Sequence, residues 1–163
     1  MLPCLALTAE ARGGRHHHRH AAWHHHRHVA SRGAFSVHDR SPSVPEGRAA
    51  IYAMVTQSAI EHGLPPALAH GIVRVESGYR CNAANRGAMG IMQIKAATAR
   101  SVGVSGGLTS CSGGLEAGMR YLRQAYQLAH GNAAGAATLY NRGLGARPSH
   151  SGYSRSVMRM SAL

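Results

Sequence analysis

The chain has 163 residues, with 18 Lys and Arg against 6 Asp and Glu and a formal net charge of +12 when histidine is neutral. That length suits one domain plus tails, and no stretch approaches the ~20 consecutive apolar residues that a membrane-spanning helix needs. The excess of arginine attracts polyanions without choosing among nucleic acid, acidic headgroups and anionic cell-wall polymer. The scarcity of acids is more restrictive, because carboxylate chemistry has only a handful of candidate residues here.

The opening residues 1–11, MLPCLALTAEA, read as the end of a secretory signal, with a short apolar run and then the small-x-small pattern Ala9-Glu10-Ala11. Export would remove Cys4 and leave an even pair, Cys81 and Cys111. In an oxidising compartment that pair can form a disulfide; the alternative is two buried thiols. Residues 12–48 hold RHHHRHAAWHHHRH, eight of the thirteen histidines, with no apolar periodicity. This segment is expected to be a disordered linker, a solvated basic tail rather than a physiological metal site.

Helical spacing starts after Glu46. Ile51, Met54, Val55, Ser58, Ala59 and His62 follow i, i+3, i+4 spacing, and Gly63 stops the helix. Pro65-Pro66 opens a second helix, with Leu68, Ala69, Ile72 and Val75 on one side and a stop at Gly78. Residues 79–90 and 103–114 read as loops, with a short helix from about Gln93 to Val102 between them. A strong amphipathic helix follows, with Leu115, Met119, Leu122, Tyr126 and Ala129 inward, ending near Gly131. One more helix runs from Ala133 to Tyr140 and closes at Gly143. No strand alternation is convincing. The expected fold is all-α or α-rich: a single domain over 49–145, followed by a basic tail over 146–163.

Among the acids, Glu76 stands apart. It lies four residues after Ile72 and eight after Leu68, on the apolar stripe of its own helix, and in the last turn. Burial and the negative end of the helix dipole both raise a carboxyl pKa, the tuning that a general acid requires. The bland alternative is a helix-end Glu whose side chain escapes to solvent. Glu61 sits at a helix end on the polar side, Glu116 in the first turn of the long helix and Asp39 in the linker, so none supplies an obvious second acid.

Three blocks recur in order: Val75-Glu76-Ser77-Gly78-Tyr79, then Gly87-Ala88-Met89-Gly90-Ile91-Met92-Gln93-Ile94, then Tyr140-Asn141-Arg142-Gly143. Together they resemble the lytic transglycosylase domain of the soluble lytic transglycosylase type, glycoside hydrolase family 23, over about residues 50–145. The resemblance implies a lysozyme-like helical fold with a sugar-binding cleft, and it sets the family's catalytic glutamate on Glu76. Ser77 and Gln93 match positions that orient the acid or contact sugar, and Met92 matches a cleft-wall position. Tyr140 matches the family tyrosine that hydrogen-bonds near the catalytic carboxyl, and Asn141 shapes the same floor. Gly87 and Gly90 read as backbone devices, for close approach or positive φ. The placement of Cys111 before the long helix resembles small members that accompany secretion and conjugation machines. Two departures are visible: alanine stands where proline is common after the second block, and Tyr153-Ser154-Arg155-Ser156-Val157 only faintly resembles the closing Y-V-x-x-V element. Whether the tail packs on the cleft is therefore left open by the sequence.

The resemblance implies peptidoglycan glycan strands as substrate and cleavage of the MurNAc–GlcNAc β-1,4 bond to a 1,6-anhydro product. Glu76 is then a single acid and base, and neither metal nor cofactor is needed. The competing readings are a hydrolytic muramidase on the same fold, a non-catalytic peptidoglycan-binding or secretion scaffold, and a basic nucleic-acid binder. The last lacks any recognised motif or aromatic stacking platform. The expectation is a periplasmic or secreted monomer acting on glycan strands, with a secretion or conjugation apparatus as a further partner and no membrane span.

Overall fold

A computed structural model describes residues 47–162. The segment read as a secretory signal, Cys4, Asp39 and the His/Arg-rich stretch up to residue 46 lie outside the described residues. Six helices are present among them: α1 (Arg48–Glu61), α2 (Pro66–Glu76), α3 (Ala96–Ser101), α4 (Cys111–Leu128), α5 (Ala133–Arg142) and α6 (Gly152–Ser161). The helix-rich class expected from periodicity holds, and none of these helices is long and apolar enough to cross a membrane.

Helix α2 runs through the middle of the core. Leu68, Ala69, Ile72 and Val73 are all at most 2% exposed, packed with Val55 and Ala59 of α1, Met119 and Leu122 of α4, and Leu139 of α5. The buried arc of α2 turns toward Val73, whereas Val75, expected on the inner side, is 36% exposed. With so few aromatic residues the core is aliphatic, and close helix contact is what fills it.

Where strands seemed absent there is a small three-stranded antiparallel sheet: β1 (Ala84–Asn85), β2 (Ala88–Met89) and β3 (Ile94–Lys95), in the order β1-β2-β3. Asn85 pairs with Ala88, so the turn between them is the two residues Arg86-Gly87, both at positive φ, 49° and 80°. That is the primed hairpin geometry that suits the twist of short antiparallel strands, and glycine meets its second position without strain. Strands of two residues are too short to show a period of two. The sheet follows α2 directly, and a disulfide between Cys81 and Cys111, Cα atoms 4.7 Å apart, ties its leading loop to the start of α4.

The chain beyond 146, expected as a tail, returns to the domain. Ser151 caps α6 by accepting from the Ser154 N–H, while the Ser154 hydroxyl accepts from the Ser151 N–H, a reciprocal box made by two serines. Helix α6 packs against α2 and α5, and its Val157 is fully buried. The contact passes over Gly71 of α2, where an added Cβ would collide with the Val157 carbonyl and the Ser161 hydroxyl. Any larger residue there would push α6 away.

Candidate active site

Helix α2 delivers Glu76 as its last residue, partly buried where α6 begins. Burial raises its carboxyl pKa above the ordinary value, and a hydrogen bond from the Tyr153 hydroxyl to Oε1, 2.5 Å long, pulls it part of the way back. The balance is a raised pKa, in the direction that the apolar stripe predicts. Tyr153 sits in the first turn of α6, so the cap at Ser151 fixes the phenol's position. Burial, then the charge of Glu76, raises the Tyr153 pKa, and the same two causes raise that of Tyr140. Both phenols therefore stay protonated and act as donors.

Two cavities flank the acid. One, of about 370 Å³, is lined by Glu76, Ala88, Lys95, Tyr121, Tyr140 and Asn141 among others. The other, of about 300 Å³, is lined by Glu76, Arg80, Asn82 and the β1 residues. Glu76, Asn85 and Gln93 belong to both, so the two form one groove with the carboxyl at its waist. A third cavity of about 410 Å³ lies between α1 and the start of α4, lined by Ala50, Met54 and Leu115 with Glu61 and Glu116. It is larger and more apolar, and its Glu116 is already engaged by Arg120 and by His62.

The residues singled out by sequence divide into those on the groove and those behind it. Gln93 lines both halves. Its amide nitrogen donates to the carbonyls of Ala83 and Gly90, at 3.0 and 2.9 Å, which leaves the amide oxygen for a ligand. Asn141 lines the larger half and is exposed. Tyr140 also lines it, but its hydroxyl donates to the Met92 carbonyl at 2.7 Å rather than to Glu76. Its ring lies edge-on to Tyr121, with centroids 5.4 Å apart.

Met92, expected at the cleft wall, and Ser77, expected to orient the acid or contact sugar, both have buried side chains. The Met92 side chain is fully buried in the core, and only its backbone carbonyl serves the site, as the acceptor of Tyr140. Ser77 is 3% exposed and donates its hydroxyl to the Ile91 carbonyl at 2.7 Å. It pins the end of α2 to the 90–93 turn and so fixes the direction of Glu76. The same turn carries Gln93 at a positive φ of 48°. Sequence reasoning gave no site role to Tyr121, Asn85 or Lys95, and left open whether the segment with Tyr153 packs on the cleft. For Tyr153 the usable signal was the serine box two residues before it, followed by the Tyr153–Val157 spacing.

A helix-rich domain with one raised carboxyl at the waist of an open groove, backed by tyrosines, is an arrangement chemically able to protonate a sugar–sugar linkage. The sequence profile described as the transglycosylase SLT domain matches residues 53–158, and the chain belongs to that family. It is a lytic transglycosylase, with the lysozyme-like domain of its family and peptidoglycan as the substrate class. The matched span reaches through most of α6, the helix that supplies Tyr153. No solved structure matches the chain.

Proposed function

We propose that this enzyme cleaves the MurNAc–GlcNAc β-1,4 bond and leaves a 1,6-anhydro-MurNAc end, with Glu76 as general acid and then general base. The observation that carries this reading is that Glu76 is the one carboxylate among the described residues lining the groove, and its pKa is raised. Most glycosidases set two carboxylates about the bond, the second to attack carbon or activate water. With one acid, the muramyl sugar supplies the nucleophile itself. Glu76 gives its proton to the glycosidic oxygen as the C1–O4 bond breaks, releasing the GlcNAc hydroxyl. The carboxylate formed then takes the proton of the muramyl 6-hydroxyl as O6 closes onto C1. Atoms balance without water, and Glu76 ends protonated for the next cycle.

The other groove residues are given roles by position. Tyr153 steadies the carboxylate between the two proton transfers through its bond to Oε1. Gln93 and Asn141 offer amide groups to the sugar, and Tyr140 holds the 90–93 turn through the Met92 carbonyl. Ser77 aims the acid from behind. No step calls for a metal or cofactor. Because the substrate lies outside the cytoplasm, we place the enzyme in the periplasm or in the secreted fraction, exported by the segment at 1–11. It would act there as a monomer in the service of a secretion or conjugation apparatus.

The deciding experiment is digestion of purified sacculi followed by mass spectrometry. The expected product is lighter than the reducing-end muropeptide by one water, and Glu76→Gln should lower turnover by about 10²–10⁴-fold, the range for a positioned proton donor, while retaining the native fold. Reducing-end products would assign a hydrolytic muramidase, and undiminished turnover in the variant would remove Glu76 from the chemistry.

A further inference from the structure

The two halves of the groove differ in charge. Lys95, the only lysine of the chain, is the exposed residue of β3, where the neighbouring Ile94 points into the core. Arg142 ends α5 and is also exposed. Both line the larger half. Neither has an ion-pair partner among the described residues, where both ion pairs belong to Glu116. The smaller half is different. Its arginine, Arg80, donates through Nε to the Ser77 carbonyl at 3.0 Å, beside the neutral amides of Asn82 and Asn85.

Two cations without ion pairs line the larger half, against one in the smaller half that is tied to a backbone carbonyl, and that excess favours an anionic group on the part of the substrate in the larger half. The sugar rings of a glycan strand are neutral. Its negative charge hangs from the lactyl arm at C3 of each muramyl residue, either as carboxylates of the attached peptide stem or as the lactyl carboxylate itself where no stem is attached. We propose that Lys95 and Arg142 are specificity residues that bind a carboxylate on this side arm, so that the enzyme selects glycan by the charge of what the sugar carries. The proposal rests on the glycan-cleaving reading above and adds the substrate feature that one half of the groove recognises.

The test uses the full chain and soluble glycan strands in three forms: with intact stems, with the stem carboxylates converted to carboxamides, and stripped of stems so that only the lactyl carboxylate remains. Amidation should raise KM about three- to tenfold with kcat little changed, the scale of two exposed ion pairs. The Lys95→Gln/Arg142→Gln variant should show the same rise on unmodified strands and no further rise on amidated ones, because both changes remove one interaction. Arg159→Gln, on α6, hydrogen-bonded to Ser156 and outside the groove lining, removes a positive charge elsewhere and should leave the preference intact. If stripped strands match those with intact stems, the lactyl carboxylate serves as well as a stem carboxylate; if they match amidated strands, the groove requires a carboxylate of the stem. Additive effects of variant and amidation, or an unchanged KM in both, would overturn the proposal. Absence of anhydro product from unmodified strands with the unaltered enzyme would instead take down the reaction, and this inference with it.

Discussion

The hydroxyl of Tyr153 donates to Oε1 of Glu76 at 2.5 Å, joining the first turn of α6 to the last residue of α2 across 77 positions of sequence. This bond favours the charged carboxyl while burial disfavours it, so the acid's pKa is the outcome of two opposed effects.

Replacing Tyr153 with Phe removes only the donor. The carboxyl pKa should then rise, and the alkaline limb of the kcat/KM profile, where the protonated acid is lost, should move to higher pH. The maximum rate should fall about three- to thirtyfold, because a carboxylate-stabilising hydrogen bond of roughly 1–2 kcal/mol is gone in the second proton transfer. A pH–rate profile of the variant against the parent checks both. An unmoved alkaline limb would mean that the phenol does not act through the carboxyl.

Stability should carry the same signature. The folded pKa of Glu76 lies above its unfolded value, so folding binds the proton more tightly than the unfolded chain does. The stability this contributes is fully present below the unfolded pKa and is lost as pH rises through the raised folded pKa. Glu76→Gln, which keeps the shape and cannot ionise, should match the parent's melting temperature in acid and exceed it at neutral pH. Calorimetry at the two pH values reads the difference, and equal melting temperatures at neutral pH would contradict it.

Met92 separates packing from substrate contact. Met92→Ala opens a cavity in a fully buried site, which costs about 2–5 kcal/mol. At a temperature where the variant remains folded, its KM on glycan should stay within about twofold of the parent's, because the side chain does not reach the groove. Chemical denaturation and steady-state kinetics on the same preparation make the comparison. A large rise in KM without loss of stability would return Met92 to the cleft wall.

The disulfide closes a loop of 30 residues that contains the whole sheet and the 90–93 turn. Cys81→Ser/Cys111→Ser should lower stability by about 3 kcal/mol. Activity should fall more steeply on warming than the parent's, since Gln93 and the Ser77 anchor both depend on that loop. Denaturation midpoints with and without reductant measure the effect.

Helices with a broad apolar face were legible before any coordinates, because burial against a core imprints a 3.6-residue period on sequence. Glu76 was legible for the same reason: a charged residue at an apolar register is conspicuous. Helix α6 was not. Its only fully buried large residue is Val157, its N-cap box uses Ser154 where Glu or Gln is the usual mark, and its inner face is built partly of serine. The sheet escaped because two-residue strands carry no alternation.

Met92 and Ser77 illustrate a different limit. A motif marks a position that matters without saying which of its atoms does the work. At 92 it is the backbone carbonyl that receives the Tyr140 hydroxyl, and at 77 a hydroxyl turned inward to the Ile91 carbonyl. Both are invisible to an argument that treats a residue as its side chain facing the ligand.

The acid and the phenol that steadies it belong to segments made at different times. A ribosome, or an export channel passing the polypeptide from its amino end, releases residue 76 well before residue 153. Through that interval the carboxyl lacks the phenol that donates to Oε1 and its helix has one flank bare. On the role proposed for Glu76, full cutting power would then come late in the birth of each molecule, and fragments that stop short of α6 should cut more slowly than the whole chain.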